Sequence, residues 1–216
     1  MTGIAIAVAG CSASHANSAI AATATPQCAV SASASVETLE RPPTVLSATS
    51  PGALRLDRSH TLTGTCAREA RSFEMGQILF ADGSVKAIGE DGSLSTVGQR
   101  PTAVEPSALS SQEGPRLEGA PLVYAARVGA RREGARLVTS YVGVWTVGGK
   151  SVVASFKSAA GEQPSTPQPL LESQSPILGV GYFPAADAPS GQLGVVQQVS
   201  SDTARLLNYQ WFHPDL

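Results

Sequence analysis

The stretch "PLVYAARVGARREGARLVTSYVGVWTVGGKSVVASF", residues 121–156, constrains the fold more than any other part of the chain. Three runs rich in Val, Tyr, Trp, Thr and Phe, at 122–128, 136–147 and 151–156, are separated by "GARREG" and "GGK". β-branched and aromatic residues lose side-chain freedom against a helical turn but pack well on a pleated surface, so each run is expected to be a strand. In the middle run, period-two alternation puts Leu137, Thr139, Tyr141, Gly143 and Trp145 on one face and Val138, Ser140, Val142, Val144 and Thr146 on the other. Apolar groups on both faces predict a strand covered on both sides.

The same signals recur along the chain. Asp82-Gly83 and Asp91-Gly92 sit between short apolar runs, and Asp-Gly accepts the positive φ of a tight hairpin turn. Strands are expected over 73–80, 84–88, 94–97, 178–183, 193–199 and 204–212, with one short helical turn around Cys66 to Arg71. The last strand should close the sheet, because Tyr209, Trp211 and Phe212 are costly to leave in water. "QRPTAVEPSALSSQEGPRLEGAP" and "GEQPSTPQPLLESQSP" read as surface loops. The sum is a mainly β domain: an antiparallel β-sandwich or barrel of about eight to ten short strands over residues 53–216.

What precedes it has a different composition. Residues 11–52 are dominated by Ala, Ser, Thr and Pro, and bury too little apolar surface to offset ordering entropy; they read as a disordered tether. Residues 1–10 form a partial signal-like segment, a short apolar run with small residues. Val8-Ala9-Gly10-Cys11 resembles the bacterial lipobox, an aliphatic residue, two small residues and Cys. The resemblance covers only this stretch and implies cleavage before Cys11, acylation of its thiol, and anchoring in the cell envelope. Ser12 resembles the outer-membrane-sorted type. No Lys or Arg precedes the apolar run, and a start further upstream is the expectation that accounts for this. If acylation takes Cys11, Cys28 and Cys66 remain as an even pair, and an oxidising compartment favours their disulfide.

Chemistry is less legible. A net charge of −2 gives no electrostatic footprint for nucleic acid. Neither CxxC nor HxxxH spacing occurs, and His15, His60 and His213 are far apart, so no metal is expected and no cofactor. Gly149-Lys150-Ser151 ends like a P-loop, yet a strand-like run follows it where a helix is required. No GxSxG elbow is present. Asp82, Asp91 and Asp187 read as turn formers. Two features are candidate partner-binding residues: the cationic hairpin end formed by Arg127, Arg131, Arg132 and Arg136, and Tyr141 with Trp145 as a stacking platform.

The expectation is therefore a lipid-anchored, non-catalytic binding or assembly module facing the periplasm, its partner an envelope protein or glycan. Two alternatives stand beside it. One is a small exported hydrolase with a non-contiguous Ser/His/acid site built on His60 or His213. The other is a toxin-immunity or enzyme-inhibitor protein.

Overall fold

The computed structural model describes residues 28–31, 39–46, 54–100, 114–184 and 190–212. These residues are mostly antiparallel strand, as the sequence predicts. The lipobox-like stretch with Cys11, and also His15, Asp187 and His213, lie outside the described residues. No described helix is long and apolar enough to cross a membrane.

The strands form three stacked sheets. The first has the order β1 (Ala29–Ser31), β3 (Leu54–Thr63), β14 (Thr203–Phe212), β13 (Ser190–Ser200), β12 (Ile177–Pro184). The second runs β2 (Thr44–Val45), β11 (Gln168–Ser173), β10 (Lys150–Ala159), β9 (Arg136–Val147), β8 (Leu122–Glu133). The third is the meander β4 (Ala70–Glu74), β5 (Gln77–Phe80), β6 (Ser84–Ile88), β7 (Leu94–Gln99). The first sheet lies in the middle. On one face its Val180, Tyr182, Leu193, Val195, Leu207, Tyr209 and Trp211 pack against Val142, Val144, Val153 and Leu171 of the second sheet. On the other, Leu62, Val196, Ala204 and Leu206 pack against Phe73, Ile78 and Phe80 of the third. Alternation along β13 and β14 supplies both interfaces from the same strands.

Three glycines let the third sheet come close. A Cβ on Gly194 would collide with the Phe73 carbonyl oxygen, and one on Gly179 with that of Arg71. A Cβ on Gly181 would meet Ser72 and Glu74. Missing side chains on β12 and β13 therefore form the bed on which β4 lies.

The turns match their residues. Gly148 and Gly149, at φ 56° and 80°, make the two-residue link from β9 to β10, the backbone of a type I′ hairpin turn rather than of a phosphate loop. Asp82 and Asp91 each accept a hydrogen bond from the backbone NH two residues on, Ser84 at 2.8 Å and Ser93 at 3.0 Å. Both are turn formers, as expected.

The structure departs from the sequence reading in four places. The run 73–80 is two strands, broken at Met75-Gly76, where φ is positive at both residues (45° and 74°). β3 was not anticipated, and "GEQPSTPQPLLESQSP" contains β11, whose Leu170 and Leu171 are buried. Among the described residues fourteen strands replace eight to ten: β1, β2, β3 and β11 are additional and 73–80 divides in two; β1 and β2, three and two residues long, carry too few side chains to show a period. Finally, the region assigned to the tether supplies β1 and β2. β1 is fixed by the Cys28–Cys66 disulfide, by pairing with β3, and by a 2.9 Å hydrogen bond from the Val30 NH to the Gly92 carbonyl. Residues 39–46 are held by the Leu46 NH on the Leu170 carbonyl at 2.8 Å and by Gln197 Nε2 donating to the Arg41 carbonyl at 3.3 Å. Partners far along the chain order these segments, and their own composition does not show it. The short 3₁₀ turn Thr65–Glu69 falls where one helical turn was expected.

Candidate functional site

Tyr141 and Trp145 share a face of β9, as the alternation requires, but they are core. Trp145 is fully buried and its indole NH donates to the Pro115 carbonyl at 3.0 Å. Tyr141 stacks on Phe156 with centroids 5.2 Å apart, and Trp145 meets the same ring edge-on at 5.8 Å. Gly143 leaves room for the indole, since a Cβ there would strike Trp145 and Leu122. The cover comes from the segment read as a surface loop: Leu117 and Ala120 exchange backbone hydrogen bonds at 3.1 and 2.9 Å, folding 117–120 back over the ring cluster. The pair is thus no stacking platform. No sequence period announces that an irregular segment forms a lid.

Arg131, Arg132 and Arg136 gather at the tip of the β8–β9 hairpin, while Arg127 lies further back along β8 opposite Tyr141; all four are exposed. Arg131 pairs with Glu133 at 2.6 Å and Arg136 with Glu162 at 2.6 Å. Those contacts hold Glu133 below the usual carboxylate range, through its hydrogen bond to Arg131, and push Arg136 up. Only Arg127 and Arg132 remain without an ion pair among the described residues. The hairpin is partly neutralised and carries less charge than its sequence suggests.

A better-built site lies on the central sheet. Directly opposed residues of antiparallel strands share a face, so pairing identifies one continuous surface. Leu206, beneath the third sheet, pairs with His60; two residues on, Asn208 pairs with Arg58 and Gly194. Gln210 then pairs with Arg55 and Gln192, Gln192 with Phe183, and Phe212 with Ser190. The third sheet covers this face as far as the Gly181–Gly194–Asn208 row, where Phe73 and Glu74 lie against the two glycines and Asn208 is buried. Beyond that edge Arg55, Arg58, Gln210, Phe183 and Phe212 are exposed.

Where cover ends there is a cleft of about 490 Å³, a volume within the usual range for ligand sites. Arg58, His60, Gln192 and Asn208 form its floor, and Phe73, Met75, Ile88 and Glu90 are among its walls. The Asn208 Nδ2 donates to Gln192 Oε1 at 3.0 Å, while its Oδ1 has no donor among the described residues although Asn208 is only 6% exposed. His60 packs edge-on against Phe73 at 5.6 Å, and its Nδ1 is likewise unpartnered. Burial lowers the His60 pKa, opposed by a hydrogen bond to the Ser31 backbone and aided by the Arg58 charge, so the ring is neutral near pH 7. Among the described residues, His60 has no hydrogen bond with a serine hydroxyl or a carboxylate. Met75 stands at the lip, 59% exposed and at positive φ, a conformation that costs an L-residue about 1–2 kcal/mol. Such strain concentrates at binding sites.

The sequence reading missed this site because its members come from β3, β4, β6, β13 and β14 and share no motif. The one available signal was a run of polar side chains, Asn208 and Gln210, alternating with buried apolar ones.

No protein-family model, curated protein or solved structure matches this chain. Among the described residues no cluster of His, Cys, Asp and Glu is placed to hold a metal ion.

Proposed function

We propose that this chain is a bacterial envelope lipoprotein, fastened to the outer membrane through acylated Cys11, whose β body faces the periplasm as a non-catalytic binding or assembly module. The observation that carries the reading is the part of the central sheet left exposed among the described residues, beside its cleft. A concave site with a few convergent polar side chains is where a ligand is bound. The Cys28–Cys66 disulfide supports the compartment, since such bonds persist where the environment is oxidising. The lipobox-like Val8-Ala9-Gly10-Cys11 supports the anchor.

The test is expression in a Gram-negative host supplied with an alkyne-bearing fatty acid. Label is expected on the parent chain in the outer-membrane fraction and absent from the Cys11→Ser variant. Unlabelled parent protein with an unprocessed amino terminus in the cytosol would overturn the placement. For the binding role, immobilised chain should retain a component of solubilised envelope that an unrelated β-protein does not.

A further inference from the structure

We propose that the open half of the central sheet, with its cleft, is a saccharide-binding face that takes an uncharged oligosaccharide. This rests on the reading of the β body as a binding module and names the ligand class for it.

The side chains are of the kind that reads hydroxyl groups. Asn208, Gln192 and Gln210 sit on neighbouring strands of one face, and each carboxamide offers both donor and acceptor. Vicinal ring hydroxyls, which also donate and accept, satisfy such groups in pairs. The Asn208 Oδ1 needs this most: it is buried and has no hydrogen-bond partner among the described residues, and a buried acceptor left without a donor is destabilising. The terminal torsion of an Asn side chain is soft. A small rotation therefore turns Oδ1 toward a hydroxyl that docks on the Gln192–Asn208 pair. The His60 Nδ1 beside the cleft is a second buried polar atom with no hydrogen-bond partner among the described residues.

Apolar groups flank this polar row. Phe183 and Phe212 are 39% and 40% exposed. They stand two strands and one residue pair apart, which places their Cα atoms about 12 Å from each other. That span matches roughly two linked sugar rings, whose C–H faces pack on aromatic surfaces. Met75 adds a flexible apolar lip to the cleft.

Charge decides against an anion. Arg55 and Arg58 lie on the face, but Asp57 pairs with Arg58 at 3.5 Å and Glu90 lines the cleft. Two positive groups stand against two negative ones. The guanidinium groups then serve as hydrogen-bond donors to hydroxyls and select no net charge.

The experiment uses the full chain, titrated with chitotetraose, maltotetraose and cellotetraose, and with oligogalacturonate as the charged comparison. Binding is read by calorimetry and by amide chemical shifts. At least one neutral tetraose should bind saturably and shift the amides of Gln192, Asn208, Gln210 and Phe212. Gln192→Ala and Phe212→Ala are expected to weaken it by about tenfold each; Gln192→Ala also removes the acceptor of the Asn208 Nδ2, so its melting temperature is read alongside and the protein should remain folded at the titration temperature. Arg132→Ala, at the hairpin tip, should leave it unchanged. Failure of all three neutral probes, binding of oligogalacturonate alone, or shifts confined to the hairpin would overturn the proposal. The broader reading fails separately. If immobilised parent and the Gln192→Ala/Phe212→Ala double variant retain the same envelope component, the binding role stands and this face is not its site. If the parent retains none, the binding role falls, while the titrations still judge the face.

Discussion

Removing the Cys28–Cys66 bridge tests how the amino-terminal strand is held. The bond joins residues 38 apart. In the chain-entropy model, closing a loop of that length removes enough denatured-state freedom to contribute about 4 kcal/mol at 25 °C. β1 is only three residues long, and apart from the bridge it is held by its pairing with β3 and by the Val30 hydrogen bond to Gly92. Val30 is 5% exposed and packs in the cluster that joins the central and third sheets. Freeing Cys28 therefore raises the entropy of the unfolded chain and lets β1 peel away, exposing Leu62. The perturbation is the Cys28→Ser/Cys66→Ser double variant, compared with parent by guanidinium denaturation and calorimetry. The expected loss is about 4 kcal/mol. At roughly 2–4 °C per kcal/mol for a chain of this size, the melting temperature should fall by about 8–16 °C. Amide exchange at Val30 and Leu62 should quicken more than at Val153 of the second sheet. A variant within about 1 kcal/mol of parent, with Val30 still protected, would refute the reasoning, because strand pairing alone would then fix the segment.

Trp145→Ala should cost about 3–5 kcal/mol in denaturant unfolding, since it empties a fully buried site and orphans the Pro115 carbonyl; an exposed stacking residue would cost far less. Gly194→Ala is expected to destabilise by about 1–3 kcal/mol or more, by driving a methyl group into the Phe73 carbonyl. Gly98→Ala, which meets nothing within 4 Å, should lie within about 0.5 kcal/mol of parent. Burial pushes the Tyr124 phenol up to about 12 from 10.0. Its neutral form is favoured by folding, so stability present below pH 10 should decline as pH rises toward 12. Tyrosinate absorbance should lag in the folded protein and catch up on denaturation. For His60 the sign reverses: its folded pKa lies below 6.5, so stability should fall as pH drops through 6.5, and a His60→Gln variant should flatten that slope.

Much of the architecture was legible from local chemistry. The alternation through 136–147 correctly assigned Val142 and Val144 to one core and Tyr141 and Trp145 to the opposite face. The Asp-Gly and Gly-Gly turns marked hairpins, because positive φ is a property of single residues. Cysteine parity pointed to the bridge that forms. The site was much less legible. The arginine hairpin stood out in sequence, yet Glu162, 26 residues from Arg136, cancels part of its charge.

The chain by itself therefore determined which runs are strands, where they reverse, and that both faces of several must be covered, since these follow from side-chain period and from the steric limits of one or two residues. Tertiary structure alone decided that three sheets stack rather than two. It also turned residues 117–120 into a lid over Trp145, and left Gln192, Gln210 and the two phenylalanines on one face beside the buried Asn208. Those outcomes depend on which distant backbone lies against which glycine and on where the third sheet stops. Such contacts join residues with no fixed spacing, so no local pattern encodes them.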